Sequence, residues 1–268
     1  VLWRPLKLAL VLAFLIAFFN QLSGINAILG YAPRILGMTG FDPGESLFNA
    51  SLITLVNLIF TLIGLALIDK IGRRSLLYIG SFGYIASLAV CAWAFHSYRA
   101  PFSDAADAIA LKASAPVIAA DISQLPEKYS SQVNSENLSE SMVKEIASNS
   151  LKSAKEETGF GSSLVLICIL AFIAAHAIGQ GAVIWVFISE IFPAIARGFG
   201  QSLGCATHWV FAAILTLIVP LAMEAFSPTQ IFGFFAFMMI LQLAWIRLMV
   251  PETKGVSLEQ MQFNLSKE

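Results

Sequence analysis

Charged residues are scarce in this chain of 268 residues, and the scarcity indicates what surrounds the protein. Lys, Arg, Asp and Glu make up 12% of the residues, whereas about 25% is usual in soluble domains. Hydrophobic residues make up 57%, and the mean hydropathy is +0.77. The formal net charge of -1, without a basic patch, argues against a nucleic-acid partner. The composition therefore predicts an integral membrane protein in contact with the lipid bilayer.

Cysteine and histidine are equally rare, with three residues of each. Cys91, Cys168 and Cys205 all lie in apolar segments and lack metal-ligand spacing, so we interpret them as small core residues. His176 has no visible partner and is expected to be a buried histidine with satisfied hydrogen bonds. No nucleophile–base pair or metal-ligand cluster is apparent. We therefore expect no enzymatic activity, no cofactor and no metal site.

Long hydrophobic runs, by contrast, are abundant, and six of them can cross about 30 Å of hydrocarbon at about 1.5 Å per residue. The first and fourth exceed the length that a crossing needs, which indicates tilt or a break. The first run has basic residues ahead of it but no small-residue cleavage site after it. We interpret it as a span rather than a signal peptide, in a chain truncated at its N-terminus. The predicted spans are Leu6–Leu36, Ser46–Ile68, Ser75–His96, Gly161–Ile191, Gly198–Met223 and Thr229–Val250.

The few basic residues predict the orientation of these spans. Lys70, Arg73 and Arg74 lie in the short connection between the second and third spans, and Arg197 lies between the fourth and fifth. Since Lys and Arg in short loops mark the cytoplasmic side, we expect both termini to be cytoplasmic and the protein to lie in the cell membrane. The basic residues near the two ends are Arg4, Lys7 and Lys254.

Residues 97–160 differ from the rest because they are rich in Ser, Ala, Asp, Glu and Lys. They divide the chain into 1–96, with three spans, and 161–268, with three spans and a short tail. We expect them to form an extracytoplasmic insertion. The stretch "SENLSESMVKEIASNSLKSAKEE" is compatible with a charged helix or with a disordered loop. No chemistry is visible in it.

The first span carries four polar side chains in "FFNQLSGINAILGYAP". On a straight helix, Asn20, Gln21, Ser23 and Asn26 would occupy an arc of about 220°, which would push an amide into lipid. We therefore predict a break near Ser23 and Gly24, where a glycine tolerates the unwound backbone and the polar groups can line a wet cavity.

The fourth span shows a matching feature, since "AIGQGAVIWVF" places Gly179, Gln180 and Gly181 inside an apolar run. Counted in threes, the first and fourth spans open two successive trios of helices. Interrupted helices at corresponding positions of two repeats indicate a transporter binding site. The predicted fold is all-α, with six transmembrane helices arranged as two inverted three-helix repeats.

Two further spans carry narrow polar stripes that we expect to face the interior of the bundle. Packing and interhelical hydrogen bonds remain the alternative explanation of such stripes. The stripe of the second span is Thr54, Asn57, Thr61 and Gly64, and that of the fifth is Gln201, Gly204, Cys205, His208 and Ala212.

The lining that these residues would provide is uncharged. Amides both donate and accept hydrogen bonds, and the flat apolar face of tryptophan fits the ring carbons of a sugar. No charged side chain lies at mid-membrane to bind an anion or a cation. This composition favours a neutral, polyhydroxylated solute.

Four motifs at these positions resemble the sugar porter family of the major facilitator superfamily. They are "NQLSGIN", "DKIGRR", "WVFISEIFPAIARG" and "PETKG", and the resemblance covers nearly all six spans. In that family they belong to the C-terminal half of a twelve-helix transporter. The resemblance therefore implies half of a twelve-helix major facilitator fold, with the missing N-terminal half as its partner.

The resemblance also implies roles for individual residues. It places sugar contacts at Gln21, Asn26, Asn57 and Trp185, and a gating aromatic at Tyr31. Positions that depart from the family pattern but fall in the same site are Asn20, where Gln is usual, and His208 beside Trp209, where Asn is frequent. Other departures are Gly30, Ala177, Gln180 and Ala182. The residues implied to form an ion-pair network closing the inner gate are Asp69, Arg73, Arg74, Glu190, Arg197 and Glu252.

These implications lead to one functional expectation with alternatives. We expect transmembrane transport of a monosaccharide by alternating access, with uniport and proton symport both open. A sugar sensor or receptor that binds without transport is the first alternative, and an assembly subunit without a ligand is the second. Since no acid lies at mid-membrane in these six helices, any coupling carboxylate would lie in the N-terminal half.

Overall fold

Helices make up all the regular structure in the computed structural model, which describes residues 3–131, 138–256 and 260–261. A single 3₁₀ turn covers Ile122–Gln124, and a π-helical segment covers Ala177–Gly181. The α-helices are α1 (Trp3–Leu22), α2 (Ile25–Gly37), α3 (Pro43–Ile71), α4 (Arg73–Ser97), α5 (Arg99–Ala120), α6 (Glu127–Ser130), α7 (Glu140–Thr158), α8 (Gly161–His176), α9 (Ala182–Ile191), α10 (Arg197–Ala225) and α11 (Pro228–Met249).

Within the described residues, six stretches are long and apolar enough to cross a membrane, so the chain is a multi-pass membrane protein. Every predicted span is confirmed to within three residues at each end. The observed spans are Leu6–Gly37, Pro43–Ile71, Arg73–Ser97, Gly161–Ile191, Arg197–Ala225 and Pro228–Met249.

The predicted break in the first span is confirmed between α1 and α2. Gly24 has a φ of 84°, a left-handed conformation that side chains other than glycine disfavour. A Cβ atom at this position would lie 2.6 Å from Cδ2 of Phe235 on α11, so the close approach also requires glycine. The Ser23 hydroxyl donates to the Asn20 carbonyl at 2.6 Å and accepts from the Ile25 N–H at 3.3 Å. Ser23 thereby satisfies backbone groups on both sides of the break.

The fourth span is interrupted at the predicted position, but by a wide turn rather than by an unwound backbone. The helix changes from α to π geometry over Ala177–Gly181, between α8 and α9. Gln180 is fully buried there, and its side-chain nitrogen and oxygen both lack a partner in the described part of the chain.

The chain divides into two compact units, of which the first contains the interruptions of the first and fourth spans. This first unit comprises Val1–Tyr31, Ala50–Trp93 and Ile167–Glu268. In it α1 packs mainly against α10, and also against α9 and α11. Gly204 on α10 contacts Ile188 on α9, where a Cβ atom would come within 2.5 Å of the isoleucine Cδ1. Small residues at such crossings are what allow membrane helices to approach closely.

The second unit, Ala32–Asn49 with Ala94–Leu166, contains an antiparallel pair of helices. Ala105 and Ala108 of α5 pack beside Leu151 and Ala154 of α7, while the later part of α5 packs beside the beginning of α7. The side chain of Ser139 caps α7 by accepting from the N–H of Met142 at 3.3 Å. The helical alternative for the charged stretch is therefore confirmed over Glu140–Thr158, whereas residues 135–137 of that stretch lie outside the described residues. α5 is a helix that the sequence analysis did not predict.

Ion pairs hold the start of α3 and the residue before it to this helix pair within the second unit. Lys155 Nζ lies 3.1 Å from Glu45 Oε2 and 3.9 Å from Asp42 Oδ2. On α6, Lys128 binds both Asp104 and Asp107, and these bonds hold the pKa of its amine above the usual value. Such exposed pairs orient the helices more than they stabilise them.

Candidate functional site

A cluster of amides lies at the break in the first span, and Gln21 connects it. Gln21 is fully buried at the end of α1. Its Oε1 accepts from Asn26 Nδ2 at 2.6 Å, and its Nε2 donates to Asn20 Oδ1 at 3.2 Å. The same Nε2 lies 3.0 Å from Nδ1 and 3.1 Å from Nε2 of His208 on α10, either of which can accept according to the tautomer. The structure thus brings together four predicted site residues from both sides of the break and from a second span.

The hydrogen-bonding capacity of Gln21 is almost fully used in this cluster. Its amide nitrogen has two hydrogens, which match the two acceptors Asn20 and His208. Its oxygen has two lone pairs, of which Asn26 occupies one. A polar ligand at this point must therefore donate to the remaining lone pair or replace one of the three partners.

Aromatic rings adjoin the cluster on the side of His208. The Trp185 ring of α9 lies 5.3 Å from the His208 ring between centroids, and the Trp209 ring lies 5.2 Å from it in an edge-on arrangement. Trp185 is half-buried, whereas Trp209 is 66% exposed. Gln201 of α10 donates to the Trp185 carbonyl at 2.9 Å and ties α9 to α10. This polar stripe of the fifth span faces the interior, as predicted.

The stripe of the second span behaves differently. Gly64 is buried against the π-helical segment, whereas Thr54 is exposed, so only part of the stripe faces the interior of the six spans described here. Thr54 and Thr61 instead donate to the carbonyls of their own helix, at 3.1 and 2.7 Å. The half-buried side chain of Asn57 makes no hydrogen bond to the Gln21 cluster in the described structure.

Tyr31 lies at a kink in α2, with φ and ψ of −114° and 15°. The kink has a cause in Pro33, which lacks an N–H and clashes with the preceding turn of the helix. The Tyr31 hydroxyl donates to the Thr216 carbonyl of α10 at 3.1 Å. The predicted gating aromatic therefore joins α2 to α10.

A second polar centre gathers the charged residues at the ends of several spans. Arg73, at the start of α4, forms a two-pronged pair with Glu190 of α9, at 2.6 and 3.0 Å. Arg73 also lies 3.0 Å from Asp69 at the end of α3. Thr253, in the segment after α11, donates to Glu190 at 2.6 Å. Two-pronged bonds between charged groups are among the stronger polar contacts in proteins.

Glu252 completes this centre by binding the first turn of α4. The backbone N–H groups of Arg73 and Arg74 donate to its two carboxylate oxygens at 3.0 and 3.1 Å. The unpaired N–H groups and the dipole of a helix N-terminus favour such an anion. Gly72, just before the helix, has a φ of 101°, and a Cβ atom on it would lie 2.7 Å from the carboxylate. The sequence analysis missed Gly72, although its place between two helical runs was the available signal.

Arg197 stands apart from this centre, in contrast to the implied network. Its Nε and one terminal nitrogen are buried and make no hydrogen bond within the described residues. The other five residues of the implied network are connected, because Arg74 reaches Glu252 through its backbone and the Arg247 carbonyl through its side chain at 3.1 Å.

His176 has a partner that the sequence did not reveal. Its Nδ1 lies 3.0 Å from the Tyr84 hydroxyl of α4, and both side chains are buried. The expectation of a buried histidine with a satisfied hydrogen bond is confirmed.

A protein-family profile matches most of the chain. The family is described as "Sugar (and other) transporter", and the match covers residues 2–120 and 146–265. This chain belongs to that family. Residues 121–145, between the two matched ranges, include the connection between α5 and α7.

Curated relatives resemble the chain over nearly its whole length. The arabinose-proton symporter of Bacillus subtilis (strain 168) is 28% identical over 264 residues, which are 97% of this chain and 44% of the relative. The glucose transporter GlcP of Staphylococcus epidermidis is 25% identical over 258 residues, which are 96% of this chain and 44% of the relative. This chain therefore spans less than half the length of these two relatives.

Solved structures show the fold. The xylose transporter XylE from E. coli, in an inward-open conformation, superposes with a TM-score of 0.64 at 22% identity, over 96% of this chain and 42% of that one. A second structure of XylE, described as a proton:xylose symporter of the major facilitator superfamily bound to 6-bromo-6-deoxy-D-glucose, gives a TM-score of 0.62. The six spans therefore have the architecture of one half of the major facilitator fold.

Proposed function

We propose that this chain supplies one wall of a sugar-transport path and binds a monosaccharide beside the break in its first span. The observation that carries the proposal is the Gln21 cluster, in which Asn20, Asn26 and His208 converge on one buried amide. Amides at a helix break inside a membrane span match the binding sites of transporters built from repeats. Trp185 is the aromatic surface on which the sugar ring would lie.

The chemistry of the cluster favours a neutral sugar over a charged solute. Its side chains are amides, an imidazole and an indole, whereas the Arg73–Glu190 ion pair lies in the second polar centre. The related proteins are named for arabinose and glucose, which are both neutral monosaccharides. We propose a monosaccharide as the substrate for these two reasons.

We further propose that the second polar centre closes the cytoplasmic side of the path. Arg73 and Glu190 join α4 to α9, and Glu252 joins the segment after α11 to α4. A gate needs contacts that can break and form again, and these contacts join polar groups that water can solvate once the path opens. Alternating access would then consist of rocking around the sugar while these pairs open and close.

A second set of six helices is needed for this function. The chain spans 44% of the length of its relatives, and α3 and α10 are the spans least buried by the rest of the described structure. We infer that the faces of α3 and α10 contact an N-terminal half, and that Arg197, whose buried nitrogens lack partners in the described residues, lies near the same face.

The deciding experiment is uptake of radiolabelled monosaccharides by proteoliposomes that contain the protein expressed from its complete coding sequence. Saturable uptake of one sugar, competed by its unlabelled form, is the expected result. Binding without uptake would instead indicate a sensor, and neither binding nor uptake of any sugar would reject the proposal. An imposed pH gradient in the same vesicles separates proton symport, which it drives, from uniport, which it leaves unchanged.

A further inference from the structure

Tyr84 and His176 form a buried hydrogen bond at the point where the fourth span changes its helical geometry. The Tyr84 hydroxyl lies 3.0 Å from His176 Nδ1, and the two residues are 0% and 8% exposed. Their ring centroids lie 5.8 Å apart, and the Phe172 ring packs against that of Tyr84 at 5.4 Å. His176 is the last residue of α8, directly before the π-helical segment.

The π-helical segment determines which way α9 faces. A π turn accommodates an additional residue, so it rotates all later side chains by roughly 100° relative to a continuous α-helix. α9 carries both Trp185, which contacts His208, and Glu190, which binds Arg73. Because both residues follow the π turn, its rotation sets the direction in which each of their side chains points.

The side chains of the segment itself do not explain its π-helical conformation. Gln180, at its centre, is fully buried, and both polar atoms of its amide lack partners in the described structure. An unpaired amide in apolar surroundings disfavours the conformation that buries it. Contacts from outside the segment must therefore stabilise it.

α4 supplies such contacts before, within and after the segment. The Tyr84–His176 bond lies before it, and the Gln180 backbone lies beside the same Tyr84 hydroxyl. Within it, Gly80 and Gly179 approach so closely that a Cβ atom on Gly179 would lie 2.8 Å from the Gly80 Cα. After it, Arg73 binds Glu190. Of these contacts, the two that the Tyr84 hydroxyl makes, with His176 and with the Gln180 backbone, are the directional ones next to the turn.

We propose that Tyr84 and His176 are positioning residues, whose hydrogen bond holds the π turn and so directs Trp185 toward the sugar site. The proposal rests on the proposed function, since it assigns to this pair the geometry of that site. Neither residue touches the substrate, and their effect on sugar binding passes through Trp185.

The test is sugar affinity in the Tyr84→Phe variant, which keeps the ring and loses the hydroxyl, measured in the protein expressed from its complete coding sequence. Loss of one buried hydrogen bond predicts affinity that is about 3- to 10-fold weaker. The same substitution in a Trp185→Ala background should weaken affinity no further, because the residue that it positions is gone. Tyr129→Phe is the matched control, since Tyr129 is a buried tyrosine on α6 whose hydroxyl makes no hydrogen bond within the described residues. It should leave affinity unchanged.

The histidine supplies a second variant pair in case Tyr84→Phe does not fold. His176→Asn keeps an acceptor near the position of Nδ1 and should retain affinity, whereas His176→Leu should lose it as Tyr84→Phe does. Unchanged affinity in Tyr84→Phe and His176→Leu would overturn the proposal. An equal loss with and without Trp185 would also overturn it, because the pair would then act by another route.

Thermal unfolding separates this proposal from the proposed function. If the wild type binds no sugar, the proposed function fails. The hydrogen bond is then tested by a double-mutant cycle, which compares the melting temperatures of the wild type, Tyr84→Phe, His176→Leu and the double variant. A double variant that melts no lower than the less stable single variant supports the hydrogen bond. Additive losses show that the two residues act independently and overturn it.

Discussion

At the scale of single residues, Gln21 matters because three partners converge on it. Asn20, Asn26 and His208 come from both sides of a helix break and from a different span, and each depends on Gln21 for a bond. Removal of Gln21 therefore leaves several polar groups unpaired at once. The expected consequence is larger than the loss of one contact with a ligand.

Gln21→Ala is predicted to weaken sugar binding by about 5- to 150-fold, which corresponds to roughly 1–3 kcal/mol for an unpaired buried group. Asn26→Ala should also weaken it, by a smaller factor, because Gln21 keeps its other two partners. Equilibrium binding of a labelled sugar to the purified variants measures both effects. Asn149→Ala, which removes an exposed amide on α7, is the control for the substitution. Wild-type affinity in folded Gln21→Ala protein would contradict the assignment.

Gly72 permits a second residue-scale test, this time of stability. Gly72→Ala forces a left-handed backbone on alanine, at about 1–2 kcal/mol, and places a methyl group 2.7 Å from the Glu252 carboxylate. We expect a lower melting temperature in detergent. Gly233→Ala is the matched control, since Gly233 lies inside α11 with open space around it and should gain about 0.5–1 kcal/mol. Equal melting temperatures for the two variants would show that Glu252 does not require the glycine.

At the scale of helices, the sequence predicts those features that depend on residues close together in the chain. The length of the apolar runs located all six spans, and the arc occupied by four polar residues located the break. α5 escaped prediction because the alanines Ala105, Ala108 and Ala115 form half of its buried face, and alanine contributes little hydrophobic signal. Packing against α7 is what makes that face buried.

Contacts between helices that are distant in the chain could not be predicted in the same way. Tyr84 lies 92 residues from His176, and Arg73 lies 179 residues from Glu252. No periodicity or spacing within a helix connects such partners, and only the folded bundle brings them together. The same reason explains Asn57, whose half-buried side chain lies outside the Gln21 cluster although its residue type suits a sugar.

α9 connects the two polar centres, so a change at one end of it should separate binding from transport. Glu190→Gln removes the charge that Arg73 binds while leaving Trp185 in place. We expect slower transport with sugar affinity from the outside nearly unchanged. Labelling of a cysteine placed in the path, from the cytoplasmic side, should increase because the gate closes less firmly.

The matched control for that experiment is Glu156→Gln, which neutralises an exposed acid on α7. It should change neither transport nor labelling. Equal labelling of the wild type and Glu190→Gln would exclude a gating role for this ion pair.

At the scale of the whole molecule, the six helices present uncovered faces. α3 and α10 are the least buried spans, and large apolar side chains such as Leu62, Leu217 and Leu221 are exposed on them. In a transporter of two halves, these are the faces that a second half would cover.

Residues 1–268 expressed alone are predicted to show no sugar flux, because one half supplies only one wall of the path. Co-expression with an N-terminal six-helix half should restore both uptake and thermal stability. Uptake into proteoliposomes containing only this segment is the measurement. Saturable, sugar-selective flux from the segment alone would refute the prediction and indicate that two copies enclose the path.

The capping of α4 by Glu252 has a consequence for the order of events during synthesis. Arg73 leaves the ribosome 179 residues before the carboxylate that its backbone binds. At a translation rate of about 5–20 residues per second, the Glu252 carboxylate is synthesised roughly 10–35 seconds after the first turn of α4. The charged end of the bundle is thus among the last parts to assemble, and a nascent chain cannot close it before its final span has been made.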